Sequence, residues 1–116
     1  MKHSAFFLLA ALVTAGCAPK MEQATATALM TEVEPLFQRS LGQVPASEWS
    51  PTLRDLRPER VELRAEGLYI ATDSFFVQED GYFVLRSGSH FNPPGAGSDP
   101  SYTALWNRVY LYRIKG

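Results

Sequence analysis

The spacing of the apolar residues changes once along this chain, and the change restricts the folds open to it. Between Met21 and Leu41 the apolar residues recur every three or four positions, which places them on one face of a helix. After Pro58 the interval becomes two, which is typical of strands with one buried face. The sequence therefore predicts an N-terminal helix followed by a sheet.

The predicted helix has a continuous apolar face and one obstacle. The face comprises Leu29, Val33, Leu36, Phe37 and Leu41, with Ala24 and Ala28 extending it backward. Gly42 is a typical C-terminal stop. Pro35 has no amide proton and crowds the preceding turn, so we expect a kink there. The alternative is a second start at Thr31, whose spacing to Glu34 resembles a capping box.

The helix is expected to bury Val33 and Phe37 against the sheet. Residues 43–58 contain three prolines and read as a connector, with one short helical turn at 51–56.

Short strand-like segments separated by turn formers follow the connector. They are 61–66, 68–72, 75–78, 82–86 and 107–115. Gly67 and Asp73-Ser74 are expected to interrupt the first three, and Glu79-Asp80-Gly81 to form a hairpin turn with Gly81 at positive φ. Short turns between successive strands indicate an antiparallel meander. The predicted fold class is α+β, with one N-terminal helix packed on a four- to five-stranded antiparallel meander sheet.

The first twenty residues differ in character from the rest. Lys2 and His3 precede an uncharged apolar run from Ser4 to Ala18. As a helix, this run would extend about 20 Å, which is shorter than the bilayer core of about 30 Å. A buried core helix is the alternative, but the run ends in small residues, as a cleavage site does. We therefore interpret it as a signal peptide and not as a membrane span.

Val13-Thr14-Ala15-Gly16-Cys17 resembles the lipobox of bacterial lipoproteins, with Thr14 where Leu, Val or Ile is preferred. The resemblance implies diacylglycerol on the Cys17 sulfur, cleavage before Cys17 and acylation of its new amino group. The thiol is the most nucleophilic side chain near neutral pH, as this chemistry requires.

The resemblance also divides the chain. Residues 1–16 become a signal peptide, 17–20 the lipidated cysteine with a short tether, and 21–116 a single α+β domain. The acyl groups on Cys17 would bind the lipid bilayer, and three tether residues reach about 10 Å, so the domain would lie close to it. Because residue 18 is Ala and not Asp, the resemblance implies the periplasmic face of the outer membrane if the host is Gram-negative.

Composition excludes several function classes. The chain has 11 Lys and Arg against 12 Asp and Glu, so it lacks the basic excess of a nucleic-acid-binding protein. Its one cysteine excludes an internal disulfide and a cysteine-based metal cluster. We expect no cofactor and no metal ion.

A catalytic interpretation depends on one histidine, His90, in the long loop 87–102. His90 would be a general base with a nearby serine and aspartate. The available partners are Ser87, Ser89 and Ser101, with Asp73 or Asp99 as the orienting group. The chain has no GxSxG motif, and a surface histidine is the plainer interpretation.

Ten aromatic residues lie in the last fifty positions, on both predicted faces of the sheet. In one interpretation Trp49, Trp106 and the long loop cover the second face, with Phe91 and Tyr102 pinning the loop. In the other, a partly exposed aromatic surface binds an envelope protein or an acyl or glycan ligand. The candidate surface residues are His90, Phe91, Tyr102, Trp106, Tyr110 and Tyr112.

Residues 21–116 carry no motif that resembles a characterised family. The function we expect is a small membrane-anchored envelope lipoprotein acting as a non-enzymatic binding or accessory module. A small periplasmic hydrolase using His90 is the alternative, and a purely structural envelope protein is a third class.

Overall fold

The computed structural model describes residues 21–116, which form a six-stranded antiparallel sheet with one long helix packed on it. The elements in chain order are α1 (Gln23–Val33), a 3₁₀ segment (Glu34–Gln38), β1 (Gly42–Gln43), a 3₁₀ turn (Ala46–Glu48), α2 (Pro51–Asp55), β2 (Arg60–Leu63), β3 (Gly67–Phe75), β4 (Gln78–Leu85), β5 (Ser101–Trp106) and β6 (Val109–Ile114). The predicted α+β class, with a helix on an antiparallel sheet, is confirmed. The sheet has six strands where four or five were expected.

Helix α1 buries one face, as its spacing predicts. Ala26, Leu29 and Val33 are buried, at intervals of three and four. Ala24 is exposed, so the backward extension of the face runs through Ala26 and not through Ala24. After Val33 the chain tightens into the 3₁₀ segment, with Pro35 in its first turn, where a missing amide proton costs nothing. The expected kink is thus a change of helix type.

The 3₁₀ segment ends at Gln38, before the position that the apolar spacing suggested. Phe37 is buried as expected, but Leu41 lies beyond the helix and is 59% exposed, so its predicted place on the apolar face is wrong. Arg86 holds the segment to the end of β4, because its Nη1 donates to the Phe37 carbonyl at 2.9 Å. Its guanidinium also lies 4.9 Å from the centroid of the Phe37 ring.

The connector forms the predicted helical turn, α2, and ties it to α1. The Ser50 hydroxyl accepts from the amide of Leu53 and caps α2. Glu32 of α1 accepts from the Thr52 hydroxyl at 2.6 Å and from the Thr52 amide at 2.9 Å. These bonds lower the pKa of Glu32, the hydroxyl bond having the largest effect. The two helices therefore dock as one layer.

The β3–β4 hairpin turns three residues earlier than predicted. Phe75 pairs with Gln78, so the turn is Phe76-Val77 and not Glu79-Asp80-Gly81. Asp73 and Ser74 do not interrupt β3. The pairing register shifts by a β-bulge between Ala71 and Asp73, and the strand continues beyond it.

Gly81 is required for a reason other than positive φ. It lies inside β4 opposite Ala71. A Cβ on Gly81 would overlap the Ile70 carbonyl oxygen and lie 2.9 Å from the Tyr112 ring. Only glycine permits this approach of backbone to backbone.

The sequence predicts a loop as far as residue 102 and no element over 103–106, so strand β5 is not predicted. It pairs with β6 through the two-residue turn Asn107-Arg108, with Asn107 in the left-handed region at φ 51°. Strand β6 lies between β4 and β5, so the order β1-β2-β3-β4-β6-β5 departs from a strict meander.

Both tryptophans lie on the helix side of the sheet, which corrects the expectation that they cover the second face. Trp49 packs against the helix-side core, and its Nε1 donates to the Val44 carbonyl at 3.0 Å. Trp106 Nε1 donates to the Met21 carbonyl at 2.7 Å. The second face is covered by the loop between β4 and β5 without them.

Replacing Gly81 with alanine tests the close approach in the centre of the sheet. Gly81→Ala should lower the free energy of unfolding by about 3 kcal/mol or more, since neither backbone can move away cheaply. Gly95→Ala is the matched control, because a Cβ there meets no atom within 4 Å and it should change stability by less than about 0.5 kcal/mol. Urea unfolding measures both, and equal midpoints for the two variants would contradict the assignment.

Candidate functional site

The second face of the sheet carries an aromatic cluster, which we define as Tyr69, Phe83, Tyr102 and Tyr112 with Phe91, Tyr110, Leu85 and Ile114 packed around them. Phe91 reaches it from the loop between β4 and β5. Its ring centroid lies 5.9 Å from that of Phe83 and 5.7 Å from that of Tyr102. The Tyr102 amide also donates to the Pro94 carbonyl at 2.8 Å. The loop is therefore pinned to the sheet, in agreement with the interpretation in which it covers the second face.

The structure brings four of the six predicted surface residues together in this cluster. Tyr102 and Tyr112 are 7% and 2% exposed, and Phe91 and Tyr110 are half-buried. Trp106 lies apart on the helix side, and His90 is exposed in the loop. The Phe91 ring packs on Tyr102 and covers it from the loop side.

Two buried tyrosines share a chain of hydrogen bonds. The Tyr69 hydroxyl donates to Glu66 Oε2 at 2.7 Å and lies 2.8 Å from the Tyr102 hydroxyl. Because a hydroxyl has one proton and that of Tyr69 goes to the carboxylate, Tyr102 is the donor to Tyr69. Burial is the main cause that raises the pKa of Tyr69 well above its ordinary value, and the bond that Tyr69 donates to Glu66 acts in the same direction.

A second carboxylate serves Tyr112 in the same way. The Tyr112 hydroxyl donates to Glu79 Oε2 at 2.5 Å, and Glu79 forms an ion pair with Arg60. Burial is the main cause that raises the pKa of Tyr112, and the bond to Glu79 acts in the same direction. The cluster therefore holds its tyrosines in the neutral form.

These pKa directions predict alkaline instability. The unfolded chain loses tyrosine protons near pH 10, whereas folded Tyr69 and Tyr112 keep theirs to higher pH. Their contribution is complete below pH 10 and is lost above it, by about 1.4 kcal/mol per pH unit for each tyrosine.

Urea unfolding between pH 8 and 11.5 measures this slope. Tyr69→Phe should reduce the slope by the share of one tyrosine, about 1.4 kcal/mol per pH unit. Phe91→Leu alters the same cluster without removing a hydroxyl and should keep the slope. A slope that is identical in wild type and Tyr69→Phe would exclude Tyr69 as its source.

Two of the groups predicted for a hydrolase are engaged by backbone amides. Ser89 Oγ accepts from the Phe91 amide. The Asp99 carboxylate accepts from the backbone amides of Lys115 and Gly116. Asp73 lies in β3 on the helix side of the sheet. Within residues 21–116, His90 forms no hydrogen bond to a serine or a carboxylate, the contact that activates a nucleophile.

Helix α1 covers only part of its face of the sheet. Leu68, Val84 and Val109 are buried in the core beneath the helices, whereas Tyr82 and Leu111, farther along the same strands, are half-buried. They border an open cleft of about 510 Å³, which we call the distal cleft. Its lining is Thr72, Asp73, Asp80, Gly81, Tyr82, Ser101, Thr103, Leu111, Tyr112 and Arg113.

The sequence does not predict the distal cleft, because Glu79-Asp80-Gly81 resembles a hairpin turn. With Gly81 inside β4, alternation puts Asp80 and Tyr82 on one face. Arg113 lies opposite Asp80 in β6, and its Nε donates to Asp80 Oδ1 at 2.8 Å. A strand read continuously from residue 78 to residue 85 is the signal that predicts the cleft.

Within residues 21–116, three of the five exposed large apolar side chains lie together at the turn next to the distal cleft. Phe75, Phe76 and Val77, which we call the hairpin tip, are all exposed, and Phe76 is 89% exposed. The ring centroids of Phe75 and Phe76 lie 4.4 Å apart. Phe76 has a φ of 57°, a conformation that favours glycine.

The hairpin tip and the point where the described chain begins lie at opposite ends of the sheet. The Met21 carbonyl accepts a hydrogen bond from Trp106. Trp106 is the cross-strand partner of Val109, and Val109 is the cross-strand partner of Val84, so Met21 lies at the Val84 end of β4. Gln78, beside the tip, is six residues from Val84 along β4, a distance of about 20 Å.

Cys17, the predicted lipidation site, lies outside the described residues. Within residues 21–116, no helix has the length and apolar character needed to cross a bilayer. The same residues contain no group of three or more His, Cys, Asp or Glu side chains arranged to hold a metal ion. Comparison with known protein families, with curated protein sequences and with solved structures gave no match.

Proposed function

We propose that this chain is a lipid-anchored envelope protein that acts as a non-enzymatic binding module, with the distal end of the sheet as its binding surface. The lipobox-like sequence ending at Cys17 supports the anchor. In a Gram-negative host, Ala18 favours the periplasmic face of the outer membrane. The observation that carries the binding role is the hairpin tip.

The hairpin tip is poorly explained by folding alone. Phe76 loses little contact with water on folding, so it gains little from the hydrophobic effect. A left-handed backbone conformation costs an L-residue about 1–2 kcal/mol. Exposed aromatic residues in such a position are typical of contact sites for another molecule.

The position of the tip fits an anchored protein. The tether would hold the domain near the membrane at Met21, and the tip lies about 20 Å away along the sheet. A domain standing on its anchored end would present the tip and the distal cleft away from the bilayer, where soluble or glycan components of the envelope reach them.

Replacing Cys17 tests the anchor. Cys17→Ser should abolish incorporation of radiolabelled palmitate and leave the precursor uncleaved, because a hydroxyl is a far weaker nucleophile than a thiol. Thr14→Leu is the matched control, since it restores the preferred residue and should keep or speed processing. Equal labelling of wild type and Cys17→Ser would refute lipidation at this residue.

Replacing Phe76 tests whether the tip is kept for binding. Phe76→Gly should leave the free energy of unfolding unchanged or raise it by about 1 kcal/mol, because it relieves the left-handed conformation. In cells it should reproduce the phenotype of the gene deletion. Phe83→Ala, in the aromatic cluster, should instead cost about 3–5 kcal/mol. If Phe76→Gly destabilises the protein by more than 2 kcal/mol, on the order of a core residue, Phe76 serves the fold and the argument fails.

A further inference from the structure

We infer that the distal cleft binds an oligosaccharide. This inference rests on the proposed binding function and names its ligand class. Three features of the cleft carry it: an aromatic floor, a set of hydroxyl groups and a pair of opposed carboxylates.

Tyr82 forms the aromatic floor of the distal cleft. Its cross-strand neighbours are Ile70 and Leu111, which fix the ring from both sides. The ring is half-buried, so part of its surface faces the cleft. The C–H faces of a sugar ring are apolar and slightly positive at hydrogen, which suits the negative face of an aromatic ring.

Hydroxyl groups supply both donors and acceptors around the floor. Thr72 lies on β3, and Ser101 and Thr103 lie on β5, so they flank Tyr82 and Leu111 from two sides. A hydroxyl donates one proton and accepts at two lone pairs, which matches the same capacity in each sugar hydroxyl. The Thr72 hydroxyl donates to the Asp80 carbonyl at 3.4 Å and offers its lone pairs to the cleft. An acyl chain would leave the Ser101 and Thr103 hydroxyls without partners, so a lipid tail does not fit the lining.

Two carboxylates face each other beside the floor. Asp73 and Asp80 are directly opposite in the β3–β4 pairing, an arrangement that destabilises a sheet. Arg113 bonds one oxygen of Asp80, which leaves the second oxygen and the Asp73 carboxylate as acceptors. Two acceptors on neighbouring strands accept from adjacent sugar hydroxyls, and the free Arg113 N–H groups donate to a ring or carbonyl oxygen. This use explains why two like charges are kept together.

The test uses the full chain in a detergent without a sugar headgroup, with chemical shifts of backbone amides as the readout. The probes are the β-1,4-linked tetramer of N-acetylglucosamine, the α-1,4-linked tetramer of glucose and tetralysine. At least one of the two sugars should cause saturable changes in the amide chemical shifts of residues 72–73, 80–82, 101–103 and 111–113. Tyr82→Ala and, separately, Asp73→Asn should each weaken binding at least tenfold. Asp55→Asn, a neutralised exposed aspartate in α2, should leave it unchanged.

Asp73 is exposed, so Asp73→Asn should fold even if Tyr82→Ala does not. The inference is overturned if neither sugar causes saturable shifts, if the shifts lie elsewhere, or if they survive both substitutions. It is also overturned if only tetralysine binds, because the carboxylates then recognise a cation. The Cys17→Ser result is independent of these outcomes. If the protein is not lipidated but binds a sugar, this inference stands and the proposed anchor fails. If the protein is lipidated but binds neither sugar, the anchor stands and this inference fails.

Discussion

The sheet has two faces to cover, and residues 21–116 supply one long helix to cover them. Helix α1 has 11 residues and extends about 16 Å, whereas β3 has nine residues and extends about 30 Å. The helix layer therefore ends before the strands do. The distal cleft and the exposed hairpin tip both follow from this difference in length.

The other face is covered by a loop, which determines what kind of side chains the sheet needs beneath it. A loop supplies few apolar atoms, so the sheet supplies large aromatic residues that pack on one another and on Phe91. Tyrosines in such a thin layer keep their hydroxyls near its border, where Glu66 and Glu79 accept from them. Within residues 21–116, no buried side-chain nitrogen or oxygen is left without a hydrogen-bond partner. The second face is thus built from hydrogen bonds as much as from apolar contact.

The parts of the fold that depend on periodicity were predictable, and those that depend on a single close contact were not. The spacing of Leu29, Val33 and Phe37 identified the buried face of the helical region. Gly81 looks like a turn residue in sequence, and only the approach of the Ile70 carbonyl explains it as a strand residue. A turn at 79–81 does not place Asp80 and Tyr82 on a common face of the sheet. The distal cleft was therefore not predictable from the sequence. The aromatic loop contacts were predictable because large apolar residues amid turn formers have no other place to be buried.

The hydrogen bond between the Tyr102 amide and the Pro94 carbonyl also affects self-association of the protein through its edge strands. Strand β5 borders the sheet, and an unpaired border strand is a template to which another chain adds. The loop occupies one of its outward amides, and the bulge between Ala104 and Trp106 bends the strand near its end. At the opposite border, β1 is two residues long and offers little to pair with. These features limit the addition of further strands at the β1 and β5 borders, which would matter for a domain crowded on a membrane by the anchor proposed above.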